Sequence, residues 1–266
     1  MHRLLLPLAL ASLPIVGGAR PALHDGEVLT YKVSWAGIGA GEIKISANAE
    51  PEIAPPRLRV TTTTQTKGFA RWLLPFDARA ESFFDATSGR LKSFNEWSQQ
   101  GEKINAHAVA FDYAAAQAIY TVPDAPDKQR ALAMPAGEPM DLITQLVQTR
   151  DWNLKPGEKQ DALVLFDDDF YELSIYAARY EDVVTPLGKF RTVVLEPRME
   201  KTPPKGMFRK GSKVHVWIAL DDARRLPVKF EVEFKIGTGV ATLIKYQAPA
   251  NATSPPPVPD AKNSPP

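Results

Sequence analysis

Apolar and polar side chains alternate with a period of two along most of the chain, the pattern of strands that turn one face to a core and the other to water. Leu29, Tyr31, Val33 and Trp35 interleave with Thr30, Lys32 and Ser34. A turn over Gly37 to Gly41 follows, and Ile43, Ile45 and Ala47 resume the rhythm against Lys44 and Ser46, which predicts a β-hairpin. Near the other end, Val228, Phe230, Val232, Phe234 and Ile236 alternate with Lys229, Glu231, Glu233 and Lys235, a strand whose polar face is expected to see solvent. Val214, Val216, Ile218 and Leu220 precede it across an Asp221–Pro227 turn, and Val240 to Tyr246 follow Gly237-Thr238-Gly239, completing a three-stranded meander. Further strands are predicted over Leu58–Thr66, Phe76–Phe84, Leu91–Trp97, Ile104–Tyr113, Ile119–Val122, Ala162–Phe166, Phe170–Asp182 and Phe190–Pro197. Their short spacing predicts an all-β fold, a curved antiparallel sheet closing into a barrel or half-barrel.

One helix interrupts the series. From Pro139 to Arg150, Leu142, Ile143, Leu146 and Val147 share a face at helical spacing, Pro139 suits the first turn, and Glu138 and Asp141 complement the dipole. A single amphipathic helix in such a fold is expected to pack on the sheet or plug an end of the barrel.

The two ends of the sequence read differently from its middle. His2 and Arg3, the apolar run Leu4 to Val16, and then Gly17, Gly18 and Ala19 have the order of a secretory leader cleaved after Ala19, which predicts a periplasmic protein. Residues 248–266 hold Pro249, Pro255, Pro256, Pro257, Pro259, Pro265 and Pro266 among small polar residues, the composition of a disordered tail. Between leader and tail, residues 20–247 read as one β-rich domain, and no later stretch is apolar for long enough to span a bilayer.

Composition narrows the chemistry. A hydrophobic fraction of 44% supports a packed core, and a formal charge of +1 supplies no overall field for nucleic acid, which is excluded as a partner. With no cysteine, disulfides, thiolate nucleophiles and cysteine-bound metals are excluded. The histidines His2, His24, His107 and His215 are scattered, without the local spacing of a zinc site, and no serine elbow, phosphate loop or dinucleotide fingerprint occurs. Asp167, Asp168 and Asp169 lack the spacing of a calcium loop and read as a solvated hairpin tip; Asp221, Asp222, Arg224 and Arg225 read as a turn with local charge partners. No metal, no cofactor and no catalytic residue is therefore expected, although Glu27, Glu42 and Glu81 are carboxylates of the kind a glycosidase pair requires.

Two segments are less generic. Gly68 to Phe76 concentrates large apolar groups in a short helix or loop; Phe69, Trp72 and Leu73, with Phe76 and the strand residue Trp35, either pack into the core or line an apolar ligand site. Arg198 to Lys213 carries Lys201, Lys205, Arg209, Lys210 and Lys213 around Pro203-Pro204, a basic arm that is either solvated or contacts anionic lipid headgroups or an envelope polymer.

A family resemblance rests on several of these segments. Asp25-Gly26-Glu27-Val28-Leu29-Thr30-Tyr31-Lys32-Val33-Ser34-Trp35 with Ala40-Gly41-Glu42 resembles the start of bacterial exported proteins of domain of unknown function 3108. Arg79-Ala80-Glu81-Ser82 with Phe94, the helix with Leu154-Lys155-Pro156-Gly157, and Gly188-Lys189-Phe190 are similar too, and Val216 to Val228 is the most specific match. The resemblance covers nearly all of the chain before the tail. It implies a β-rich domain of the periplasm or outer envelope, and carries no catalytic residues to transfer.

Three functions follow in order of support. The first is a noncatalytic binding or carrier module for an apolar or amphipathic envelope ligand; the second is an envelope interaction or assembly protein using the basic arm or the tail; the third is a carboxylate-based hydrolase. The sequence leaves the oligomeric state open.

Overall fold

Among the described residues, 20–235 and 237–250 of the computed structural model, fifteen strands share one sheet. The expected leader with its cleavage point, Ile236, and the tail beyond Ala250 lie outside those residues. Eight strands come first: β1 (Val28–Trp35), β2 (Ile38–Glu50), β3 (Arg57–Thr66), β4 (Phe76–Asp85), β5 (Leu91–Gln100), β6 (Lys103–Asp112), β7 (Gln117–Thr121) and β8 (Arg130–Ala133), with helix α1 (Gly68–Leu73) between β3 and β4. After β9 (Met140–Asp141) and helix α2 (Leu142–Gln148) come β10 (Lys159–Phe166), β11 (Asp169–Thr185), β12 (Gly188–Arg198), β13 (Lys213–Ala219), β14 (Pro227–Phe234) and β15 (Gly237–Gln247). The spatial order is β8 to β1 and then β15 to β9, so two antiparallel meanders join where β1 pairs with β15. Only the short β9 is parallel to its neighbour, β10.

The alternation works as expected. In β1, Leu29 and Tyr31 are buried while Thr30 and Lys32 are not, and β14, β13 and β15 form the meander read from the sequence. The first hairpin differs in detail. Trp35 pairs with Ile38, so the turn is Ala36-Gly37, both at positive φ, and Gly39 and Gly41 lie inside β2. Gly41 is there because a Cβ would come within 2.3 Å of the Gln65 carbonyl oxygen on β3.

Register shifts at Thr30/Tyr31, Val33/Ser34, Phe83/Phe84, Ala177/Arg179 and Trp217/Ile218 bend the strands. The sheet rolls until its ends approach without closing. Arg130 of edge strand β8 binds the Asp168 carboxylate in the β10–β11 turn, and Phe111 meets Phe170 at 6.1 Å. Asp168 is therefore a fastener rather than part of a solvated tip, and Lys205 holds it from the other side at 2.9 Å.

Helix α2 is shorter than Pro139–Arg150 and lies within the roll. Met140 and Asp141 are drawn into strand pairing with Val164 and Leu165, so Pro139 precedes the helix instead of opening it. Asp141 is the N-cap: one oxygen accepts the Thr144 N–H at 3.0 Å and the other the Ser82 hydroxyl at 2.6 Å. Glu138 pairs with Arg90 at 2.9 Å instead of facing the helix. A seven-residue helix is marginal by itself, and burial on both sides sustains it. Leu142 and Leu146 pack with Val164, Leu173, Leu195 and Val216, whereas Val147 joins a larger cluster with Leu29, Tyr31, Ile45 and Phe84. Even the polar side is covered, with the Gln148 Oε1 accepting the Ala22 N–H at 2.6 Å.

The turn after α2 carries a buried ion pair. Arg150 grips Glu27 with two hydrogen bonds, 2.7 and 2.9 Å, and also donates to the Ala22 carbonyl. Burial alone disfavours the guanidinium charge, but the bonds to Glu27 outweigh it and hold the Arg150 pKa above its ordinary value. Arg225, in the β13–β14 turn, donates to the Arg150 and Trp152 carbonyls at 2.6 and 2.9 Å, so the helix end is held from both meanders. Removing one partner of such a pair strands a buried charge. Arg150→Met is expected to lower stability by about 3–5 kcal/mol, and adding Glu27→Leu to recover most of it. Urea unfolding at neutral pH measures both; a single variant within 1 kcal/mol of the parent, on the order of a surface substitution, would contradict this role.

Candidate functional site

Rolling the sheet around α2 leaves an apolar chamber of about 290 Å³. Strands β1, β2, β14 and β15 form its floor, Ile143 and Leu146 of α2 bound one side, and Met207 and Val214 another. Among the described residues that line it, none bears an ionisable carboxylate, amine, guanidine or imidazole. Its one hydroxyl-bearing wall residue, Tyr31, is satisfied by the Pro227 carbonyl at 2.8 Å, and burial raises that phenol far above its ordinary pKa. At the end of β1, the half-exposed Trp35 ring lies 5.5 Å from Phe234 and rests over Gly237 and Gly239. A Cβ on Gly237 would stand 3.1 Å from the indole nitrogen, so these glycines provide the bed on which Trp35 lies.

The five residues singled out by their apolar character are not gathered in one place. Trp35 lines the chamber; Phe69, Trp72 and Leu73 do not, and Phe76 is half-buried at the start of β4. Core packing of the α1 residues is overturned: Phe69 is 64% and Trp72 75% exposed, their rings stacked 5.6 Å apart. The reason is topological. Helix α1 is a six-residue connection beyond the paired ends of β3 and β4, and none of its residues is buried. It lies at the same end of the sheet as Trp35, beside the start of β2, through Lys67 N–H to Ala40 O at 3.0 Å and the Lys67–Glu42 ion pair. Ile38 is exposed at that end as well, and Gly101 N–H to Pro75 O brings the β5–β6 turn beside it.

The arm between β12 and β13 is packed down. Phe208 and Met199 are buried, Lys201 bridges Asp161 and Glu172 at 2.9 and 2.6 Å, and Lys205 bridges Asp167 and Asp168. Lys213 approaches Glu233 at 3.7 Å, while Arg209 and Lys210 are exposed. The carboxylates suggested for a hydrolase are likewise engaged, Glu27 by Arg150, Glu42 by Lys67 and Glu81 by Arg79.

A smaller cleft of about 180 Å³ lies near the seam and contains Glu96, whose carboxyl is raised by burial and then by Asp167 and Asp141. Asp141 spends its oxygens on the helix cap and Ser82, and Asp167 is bound to Lys205. His107, opposite Glu96 on β6, lies between Phe94 and Tyr120, and burial holds its imidazole below the ordinary 6.5 against the opposing pull of Asp167 and Asp168.

The fold and site define a class: a rolled, unclosed antiparallel sheet wrapped about a short helix. The chain belongs to the family described as protein of unknown function DUF3108, whose model matches residues 30–244. None of the curated proteins matches it. Among solved structures it is similar to the β-barrel-like protein of domain of unknown function DUF1849 from Brucella abortus, 9% identical with a TM-score of 0.53, covering 84% of this chain and 98% of that one. That likeness concerns the fold alone. A protein of Bacteroides fragilis with a YmcC-like fold, inferred to be exported, is 14% identical with a TM-score of 0.33, covering 85% of this chain and 97% of that one. Among the described residues no helix is long and apolar enough to cross a membrane.

The depressed imidazole has a measurable consequence. Because the unfolded chain takes up a proton at His107 before the folded one does, folded stability from this group is complete above pH 6.5 and is lost as pH falls through the lower folded value. Urea midpoints at pH 7, 6 and 5 are expected to fall more steeply for the parent than for His107→Phe; parallel decline in both would remove His107 as a source.

Proposed function

We propose that this protein is an exported, noncatalytic binding or carrier module that holds the apolar part of an amphipathic envelope molecule in the chamber beside Trp35. The observation that carries the reading is the chamber itself, an uncharged apolar hollow of about 290 Å³ kept open between the sheet and α2. An open, contiguous apolar surface of this kind marks a binding site, and a hollow near the lower size of small-molecule sites is suited to an acyl chain. Transfer of about eight methylenes would supply about 6 kcal/mol before the cost of immobilisation.

The exposed aromatic pair on α1, at the Trp35 end of the sheet, supports loading and unloading at a lipid surface, since Trp and Phe suit the boundary between water and hydrocarbon. The leader-like residues 1–19 support an extracytoplasmic site of action for the β-rich unit over 20–247, with Arg20 as the mature N-terminus.

Titration of the mature chain with a fluorescent long-chain fatty acid tests this reading. Saturable one-to-one binding is expected, with quenching of tryptophan emission, and Ala241→Phe, which fills the chamber, is expected to weaken it at least tenfold, about 1.4 kcal/mol. Phe69→Ser with Trp72→Ser is expected to leave affinity unchanged and slow transfer to phospholipid vesicles. No saturable binding, or equal binding by Ala241→Phe, would refute the carrier reading.

A further inference from the structure

A second hollow, which shares Val214 alone with the lining of the chamber, opens onto the polar side chains of β13 and β14. It has a volume of about 710 Å³ and is walled by strands β11 to β14 and the packed-down arm, with Arg179, Glu196, Arg198, His215, Glu231 and Glu233 facing it. The polar face of β14, expected to be open to solvent, is half-covered here, and Glu231 keeps only 18% side-chain exposure.

The geometry points to a divalent transition-metal site formed by His215, Glu231 and Glu233. His215 on β13 is paired directly with Glu231 on β14, and the period of two puts Glu233 on the same face one step along. Nitrogen and oxygen donors from the three lie within 4.8 Å of one another. Small rotations of the two glutamates would bring all three onto an ion at about 2.0–2.2 Å, the usual zinc distance to nitrogen and oxygen.

A separate observation concerns the imidazole. His215 is 7% exposed, and its Nδ1 is buried without a hydrogen-bond partner, a condition costing about 1–3 kcal/mol unless something occupies the lone pair. Nδ1 stands 3.9 Å from Glu231 Oε1, whereas Nε2 faces Glu196 Oε1 at 3.6 Å, and Arg198 fixes Glu196 at 2.7 Å. Closing that 3.6 Å gap to a hydrogen bond would make Glu196 the carboxylate that orients a ligating histidine by its far nitrogen and leaves the near one for the metal. Lys229 occupies the Oε2 of Glu231 at 2.7 Å and leaves Oε1 available; the Lys213 contact with Glu233 is looser, 3.7 Å.

One imidazole with two carboxylates selects zinc-like ions over calcium or magnesium, which favour all-oxygen shells. Three protein donors leave a fourth position toward the cleft, where Arg179 and Arg198 favour water or a small anion as the remaining ligand.

The competing arrangement is His215 standing between Glu196 and Glu231 with no ion. Calorimetric titration of the metal-stripped, full mature chain with Zn²⁺ separates the two. One-to-one binding is expected, weakened on the order of a hundredfold in His215→Gln and at least tenfold in Glu233→Gln, with Glu196→Gln weakened about 10–100-fold as an outer-shell partner. Co²⁺ is expected to quench Trp217, whose ring lies 5.6 Å from that of His215, and to need at least tenfold more metal to do so in Glu233→Gln. Zn²⁺ should also raise the melting temperature of the parent by more than that of Glu233→Gln, a readout that stands even if His215→Gln fails to fold. Absence of one-to-one binding, or undiminished binding and quenching in Glu233→Gln, would overturn the site in favour of the ion-free arrangement.

Discussion

The structure depends on placing a charged guanidinium where water does not reach. A carboxylate and a guanidinium removed from solvent tolerate each other only at close range and in a fixed orientation, so the Arg150–Glu27 pair acts as a rigid joint between the helix end and the strand that begins at Val28. Arg225 ties the same joint to the β13–β14 turn. With those three points fixed, α2 cannot slide along the sheet, and Ile143 and Leu146 keep their station over the apolar floor. The hollow persists because the helix that would otherwise collapse into it is held by its polar end.

A long antiparallel sheet whose alternate side chains point in opposite directions offers two surfaces for different chemistry. Here the inner one is aliphatic and aromatic, whereas the outer one, over β11 to β14, is crowded with charges that neutralise one another in pairs. The strands β13 and β14 belong to both, with Phe230 and Val232 lining the chamber, His215, Glu231 and Glu233 lining the other hollow, and Val214 bordering the two. A change in this hairpin therefore affects both hollows through one backbone.

Much of the fold was legible from residue order because period-two alternation is a local property: Leu29 through Trp35 and Val228 through Phe234 announce their strands without reference to anything distant. The length of α2 was not, because Met140 and Asp141 satisfy the helix pattern locally and are claimed by Val164 and Leu165, which the pattern does not show. Trp35 was identifiable as a ligand candidate, but its companions from other strands were not, since Ile143, Met207 and Phe230 reach it through the roll of the sheet. The exposed α1 aromatics misled for a related reason: large apolar side chains are mostly buried, and only the topology shows that nothing covers these. The His215, Glu231 and Glu233 set was hidden because its members belong to two strands, and spacing rules for metal ligands address one segment at a time. A strand register inferred for the last meander is the signal that would have exposed it.

The pairing of β1 with β15 joins residue 28 to residue 247. Each meander is assembled from hairpins whose partners are near in sequence, but the suture between them closes a loop spanning most of the polypeptide, and such contacts form late. The finished architecture is thus out of reach of a nascent chain until its last strand has been synthesised.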